Sequence, residues 1–313
     1  MNNKKYIFET FKKQIHELSK PCYIQGCDFD ASFNHLLQKR GILNQIEENQ
    51  HIYILIFNNH YDPPVYLDRK GINKNFGYRG FCEKHDNNLF KSIESDPVDY
   101  NIYQSQLLFS LRAFYNQRNK KEYLFLLYTA SKANELTKDI IPEDFYNEST
   151  AALRDSLNEY ETIESKLFDD LNYKSEKFHF RTIHLLRTEI CISSFFTYET
   201  TEELHKLFRL DSNYELTNIF MTFFPTENHS ILILGVEKNK LKRCEEYLNQ
   251  YSQNSDKALK LISNVMLTNV EDWALSPRFY ETNIKHREKQ IIETLRSSRT
   301  NERQDLEINL FRM

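Results

Sequence analysis

Two pairs of cysteine and histidine residues give the sequence its clearest capacity for chemistry. The first pair is Cys22-x4-Cys27, and the second, Cys82-x2-His85, follows much later in the chain. Three thiolates and one imidazole suit a closed tetrahedral zinc site, because zinc prefers sulfur and nitrogen ligands. A site with four protein ligands is structural, so the ion would stabilise the fold. The alternative is four unrelated residues, and the x4 spacing of the first pair is wider than usual.

The use of cysteine in the whole chain favours metal binding over disulfide formation. The sequence has five cysteines, and three of them fall within the two pairs. An odd number of cysteines, in a chain whose first residues do not resemble a signal peptide, argues against a disulfide framework. Cys191 and Cys244 lie in apolar or helical contexts and are predicted to be ordinary reduced cysteines.

Polar residues close to the two pairs suggest a second kind of chemistry. Asn34 and His35 follow the first pair, and Asp86 directly follows the second. Together with the pairs, they resemble the arrangement in nucleases of the HNH, or ββα-metal, type. This resemblance implies that His35 is the general base. It also implies that Asp86, and Asn34 with it, hold a catalytic Mg²⁺ or Mn²⁺ ion, separate from the structural zinc.

Several residues depart from the nuclease pattern and keep a non-catalytic interpretation open. Asn34 stands where the family normally has an aspartate or histidine ligand, and Cys-x-x-His replaces Cys-x-x-Cys. His35 could instead be a packing residue within the zinc domain. Asp86 could simply provide a favourable negative charge at the start of a helix. The resemblance covers only about residues 20–95.

A basic segment lies between the last short predicted strand and the second pair. Its basic residues include Arg69, Lys70, Lys74 and Arg79, and its aromatic residues are Tyr66, Phe76, Tyr78 and Phe81. Basic residues that alternate with aromatic ones suit a surface that follows a phosphate backbone and stacks on bases. The segment is therefore predicted to bind DNA or RNA. The alternative is a solvated loop that packs its aromatic rings inward.

Composition excludes several classes of protein. Only six glycines are present, and neither a GxxxxGK[ST] nor a GxGxxG pattern occurs, which argues against a P-loop ATPase or a Rossmann dehydrogenase. The net charge of -4 gives no global attraction to nucleic acid. No apolar run is long enough for a membrane helix, and the first residues lack signal-peptide features, so a cytoplasmic bacterial-type protein without membrane contact is expected.

Periodicity predicts an α+β fold. Residues 1–96 are expected to form a treble-clef zinc domain, in which a cysteine loop and short strands precede Cys-x-x-His at the start of a helix. Residues 97–313 are expected to be mainly helical, with a small β-hairpin or sheet element around Pro225 to His229. The charged residues 297–313 are predicted to form a frayed end.

Two functional hypotheses follow from these observations. The first is a metal-dependent nuclease or nucleic-acid-binding protein of HNH-like type in bacterial anti-phage defence. The defence setting comes from a looser resemblance of the cysteine pair and the Gly80-to-Asp86 motif to uncharacterised defence components. The second is a non-catalytic, zinc-stabilised scaffold or sensor that binds a protein partner of a defence system.

Overall fold

A computed structural model describes residues 3–57, 65–95, 97–297 and 303–312. Its α-helices are α1 (Asn3–Glu17), α2 (Glu83–Glu94), α3 (Tyr103–Ala133), α4 (Glu143–Tyr173), α5 (Thr201–Leu210), α6 (Leu241–Gln250), α7 (Ser255–Thr268), α8 (Pro277–Phe279) and α9 (Glu288–Ser297). Its strands are β1 (Phe33–His35), β2 (His51–Phe57), β3 (Val65–Gly71), β4 (Gly77–Arg79), β5 (Phe178–Leu186), β6 (Ile190–Thr197), β7 (Asn218–Pro225), β8 (His229–Glu237) and β9 (Trp273–Leu275). These elements confirm the α+β class.

The helices follow the apolar stripes of the sequence. In α4, Tyr160, Ile163 and Leu167 recur at helical spacing, and all three are buried. The start of α5 is fixed by a capping box, in which the Thr200 hydroxyl and the Glu203 carboxylate each accept a hydrogen bond from the other residue's backbone N–H.

The sheet is much larger than the sequence predicted. Seven strands pair in the order β3-β2-β9-β6-β7-β8-β5, and every pairing between neighbours is antiparallel. The predicted hairpin is present as β7 and β8, closed by a bond from the Thr226 N–H to the His229 carbonyl. The expectation of a small β element was wrong, because β2 pairs with β9 from the far end of the chain (Tyr53 opposite Leu275).

The chain divides into two compact units, each built from three segments. The first, here called the metal unit, contains residues 1–34, 78–89 and 115–175. The second, called the sheet unit, contains residues 35–77, 90–114 and 176–313. The predicted division into folding domains at residues 96 and 97 stays a prediction.

The sheet unit has one extensive apolar core. Strands β6, β7 and β8 are buried along almost their whole lengths, and α7 packs Ile262 and Met266 into the same core. Ile308 and Leu310 near the chain end are also buried there. This part of the predicted frayed end is therefore ordered by apolar packing, while residues 298–302 and 313 lie outside the described residues.

Candidate metal centre

The first ligand pair lies in a tight loop that the backbone holds closed. The Cys22 N–H donates to the Phe29 carbonyl over 3.2 Å, and the Cys27 N–H donates to the Ile24 carbonyl over 3.1 Å. Gly26 has a φ of 76°, a left-handed conformation that residues with a Cβ atom rarely adopt. The glycine before Cys27 thus lets both thiols turn toward the same point.

The second ligand pair lies at the start of α2. Cys82 directly precedes the helix, and His85 lies in its first turn. The Cys82 N–H points at the Cys22 sulfur, with 3.4 Å between nitrogen and sulfur. The unsatisfied N–H groups and the dipole of a helix N-terminus favour negative charge, so this position favours thiolates.

The four side chains converge with the dimensions of a tetrahedral metal site. The Cys27 and Cys82 sulfurs are 3.8 Å apart, and His85 Nδ1 lies 3.4 Å from the Cys22 sulfur and 3.3 Å from the Cys82 sulfur. All four ligand atoms lie within 4.8 Å of one another. A zinc ion with Zn–S bonds of about 2.3 Å and a Zn–N bond of about 2.0 Å would place sulfurs about 3.8 Å apart, and sulfur and nitrogen about 3.5 Å apart.

The donor set therefore fits a metal ion such as zinc. Cys22 and Cys82 are buried, and Cys27 and His85 are half-buried. Four protein ligands complete a tetrahedron and leave no position for water or substrate. The cluster was predicted from residue type and spacing, and the structure brings its four members together.

The Asn34 side chain makes four hydrogen bonds, three of them to the backbone of Gly80 and Phe81 just before α2. Its side-chain oxygen accepts from the Gly80 N–H over 3.1 Å and from the Phe81 N–H over 2.8 Å. Its side-chain nitrogen donates to the Phe81 carbonyl over 3.2 Å and to the Ser32 hydroxyl over 3.4 Å. The side chain is buried. A metal-ligand role for Asn34 would require both bonds to its oxygen to give way.

An Asn34→Asp substitution distinguishes these two roles. Aspartate can still accept from the two backbone N–H groups, but it cannot donate to the Phe81 carbonyl, and it places a carboxylate oxygen against that carbonyl. We expect the free energy of unfolding to fall by about 1–3 kcal/mol, measured by urea denaturation in the presence of zinc. Asn44→Asp, at an exposed position, serves as the control. A stable Asn34→Asp protein with tighter Mg²⁺ or Mn²⁺ binding would instead support the ligand role.

His35 has the properties of a neutral imidazole. Its Nε2 lies 2.8 Å from the Ile72 carbonyl, an acceptor, so Nε2 carries the proton. Burial, together with the positive charges of Lys39 and Arg112, holds the pKa of His35 below its ordinary value. His35 belongs to the sheet unit, whereas Asp86 lies in the first turn of α2 in the metal unit. The catalytic roles given to both residues stay predictions.

The predicted nucleic-acid-binding residues occupy short elements. Arg69 and Lys70 lie on β3, Lys74 follows in a 3-10 turn, and Arg79 lies on β4. Lys70 pairs with Asp68 across 2.7 Å.

The aromatic residues of the same segment mostly point inward. Phe76, Tyr78 and Phe81 are all buried, so the inward-packing alternative is confirmed for these three rings. None of the three is accessible for stacking on a base. Three of the four aromatic rings therefore serve packing, and the basic residues with the half-buried Tyr66 carry the prediction of nucleic-acid binding.

A half-buried charge cluster next to the first cysteine pair was not predicted. The carboxylate of Glu122 on α3 lies 2.6 Å from the Lys20 ammonium, 2.7 Å from the Tyr23 hydroxyl and 2.8 Å from Arg118 Nε. Burial alone would raise the pKa of Glu122, but the charges and hydrogen bonds of Lys20 and Arg118 outweigh burial and lower it. The carboxylate is therefore ionised at neutral pH.

Aromatic packing connects this charge cluster to the cysteine loop. The Tyr23 ring stacks on Tyr115, with ring centroids 4.7 Å apart, and the Phe81 ring meets Tyr115 edge-on at 4.8 Å. A Cβ atom on Gly80 would lie only 2.7 Å from the Tyr23 ring, so glycine is required there. The residues next to the metal ligands are thus fixed by α3. No sequence signal revealed this, because Lys20 and Glu122 are 102 residues apart.

Comparisons with known proteins provide no assignment. The chain matches no protein-family model, no curated protein and no solved structure. Within residues 3–57, 65–95, 97–297 and 303–312, no helix is long and apolar enough to cross a membrane.

Proposed function

We propose that Cys22, Cys27, Cys82 and His85 bind one structural zinc ion, and that the protein is a non-catalytic, zinc-stabilised scaffold that binds a protein partner. The observation that carries the zinc assignment is that all four ligand atoms lie within 4.8 Å of one another, and that three of their six separations are close to the edges of a zinc-centred tetrahedron. Because the protein supplies every ligand, the ion serves to hold the loop and the start of α2 together.

Two further observations support a scaffold over an enzyme. The Asn34 side chain, which would be a catalytic-metal ligand in the nuclease arrangement, is committed to four hydrogen bonds within the metal unit. The rings of Phe76, Tyr78 and Phe81, which would stack on nucleic-acid bases, are buried. The side chains of Asn34 and of these three aromatic residues are therefore occupied by hydrogen bonds and packing within the fold.

The treble-clef arrangement is part of the same proposal. A closed cysteine loop that precedes short strands, and a second ligand pair at the start of α2, support it. We infer HNH-like ancestry from this order of ligands, with the metal site retained for stability. The anti-phage setting rests on the resemblance alone.

A nuclease remains the second candidate because of His35. The proton of the neutral His35 imidazole lies on Nε2, which donates to the Ile72 carbonyl. Nδ1 is then unprotonated and can accept a proton, as a general base must. In this candidate, Asp86 binds Mg²⁺ or Mn²⁺, and Arg69, Lys70, Lys74 and Arg79 hold the phosphate backbone.

One assay separates the two candidates. Zinc-loaded protein is incubated with plasmid DNA and with RNA, in the presence and absence of Mg²⁺ or Mn²⁺. The scaffold proposal predicts no cleavage above the level of a buffer control. Metal-dependent cleavage that falls by at least about 100-fold in His35→Ala, as expected for the loss of a general base, would overturn it. His51→Ala, at an exposed histidine of the same unit, controls for contaminating nuclease and for general effects of losing a histidine.

A further inference from the structure

A cavity of about 800 Å³ in the sheet unit has a markedly basic lining. It lies beside the first turns of α7 and the chain end. Its lining includes four basic side chains, Lys257, Lys260, Arg287 and Arg312, and two acidic ones, Asp256 and Glu307. The cavity therefore carries a surplus of positive charge in a protein whose formal net charge is -4.

Arg287 is a half-buried basic group of this lining. Its Nε donates to the Asn283 carbonyl over 2.7 Å, and its Nη2 donates to the Leu310 carbonyl over 3.1 Å. Among the described residues, no carboxylate lies within ion-pair distance of its guanidinium. Burial lowers the pKa of Arg287, and no negative charge acts in the opposite direction. The fold therefore holds a partly desolvated cation at the cavity wall by bonds to backbone carbonyls alone.

Of the other three basic groups, Lys260 and Arg312 each have a carboxylate nearby, whereas Lys257 bonds to a neutral side chain. Lys257 donates to the neutral Gln253 side chain over 2.7 Å. Lys260 donates to backbone carbonyls of the chain end and lies 3.6 Å from an exposed carboxylate, that of Asp305. Arg312 pairs with Asp256 across 2.9 Å.

We infer that this cavity binds a small molecule carrying a phosphate or polyphosphate group. Guanidinium and ammonium groups from α7, from the segment before α9 and from the chain end line one cavity, and such groups bind the oxygens of a phosphate. The cavity also lies beside the N-terminus of α7, where the helix dipole favours an anion. This inference is independent of the proposed zinc site.

A neighbouring cavity provides room for the organic part of such a ligand. It has a volume of about 550 Å³, shares Lys257 and Lys260 with the first cavity, and includes Tyr198, Leu261 and Val265 in its lining. Both volumes fall within the range of about 300–1,000 Å³ that is usual for small-molecule sites. Two adjoining cavities, one basic and one partly apolar, favour a phosphorylated small molecule over a nucleic-acid strand.

Isothermal titration calorimetry of the zinc-loaded full chain with pyrophosphate and with ATP, both without Mg²⁺, tests the inference. We expect both probes to bind, ATP more tightly, with affinity that falls as NaCl rises. Arg287→Gln should weaken binding at least about tenfold, because it removes charge-assisted hydrogen bonds. Glu307→Gln, which removes a negative charge from the lining, should strengthen binding. Lys289→Gln, on the exposed face of α9, should change nothing.

A second variant keeps the test valid if Arg287→Gln unfolds the protein. Lys257 is exposed and its ammonium donates to the exposed Gln253 side chain, so Lys257→Gln should fold normally and still weaken binding. Three results would overturn the inference: no heat with either probe, equal affinity of wild type and both charge-removing variants, or binding of a DNA or RNA oligonucleotide without binding of the small probes. None of these results bears on the zinc content.

Discussion

Replacement of Cys82 by serine is expected to abolish zinc binding and to unfold the metal unit. Structural zinc contributes roughly 10 kcal/mol or more of apparent binding free energy to small zinc domains, which is comparable with the whole free energy of unfolding of a typical domain. Cys82 contacts Cys27 and His85 and donates its N–H to the Cys22 sulfur. Loss of one thiolate therefore disrupts the entire ligand set.

Hydrogen exchange provides the local measurement. Amides of residues 21–34 and 78–89 should lose protection in Cys82→Ser, and treatment of the wild type with a strong zinc chelator should have the same effect. Cys191→Ala is the matched control, because Cys191 is a fully buried cysteine outside the ligand set. The control should retain its zinc. Native protection of both segments in zinc-free protein would show that the ion is dispensable for the fold.

Replacement of Glu122 by glutamine is expected to destabilise the metal unit by about 1–3 kcal/mol. Glutamine has nearly the same shape, but its neutral side chain leaves Lys20 and Arg118 without their shared carboxylate. Arg118 keeps its ion pair with Glu164, but the half-buried ammonium of Lys20 would lose the carboxylate that neutralises it. Urea denaturation at neutral pH with saturating zinc measures the loss. Glu161→Gln on the exposed face of α4 should change the free energy of unfolding by less than about 0.5 kcal/mol.

The same substitution has a defined pH dependence. The pKa of Glu122 is lowered in the folded protein. The contribution of its charge to the free energy of unfolding is therefore fully present above the ordinary pKa of 4.5, and it is lost as pH falls through the lower pKa of the folded state. The difference in stability between wild type and Glu122→Gln should therefore shrink below about pH 4.5. A difference that stays constant down to pH 3 would show that the Glu122 charge does not stabilise the fold.

Local patterns in the sequence predicted the elements of this fold better than their assembly. The apolar stripe of α4 and the polar turn between β7 and β8 were both sufficient to place those elements. The seven-stranded sheet could not be predicted, because the pairing of β2 with β9 depends on residues separated by most of the chain. Burial of Leu310 was missed for a related reason: a few apolar residues in a charged segment give no periodic signal.

The cysteine–histidine cluster was predictable because these residues have few other reasons to occur in such pairs. The polar contacts around this cluster were not predictable from the sequence. Asn34 was assigned to catalysis by its place in the sequence, whereas its hydrogen bonds to Gly80 and Phe81 depend on how distant segments meet. The Lys20–Glu122 contact has the same origin. Residue type can identify a ligand, but a buried polar partner is defined only by the folded chain.

X-ray absorption at the zinc edge of purified full-length protein is the most direct test of the central claim. The proposed zinc site predicts about one zinc per chain, coordinated by three sulfurs at about 2.3 Å and one nitrogen at about 2.0 Å, with no bound water. Folded protein that contains no zinc would contradict the claim. So would a zinc ion bound by fewer than three sulfurs together with an oxygen from water, because such a site would be open to catalysis.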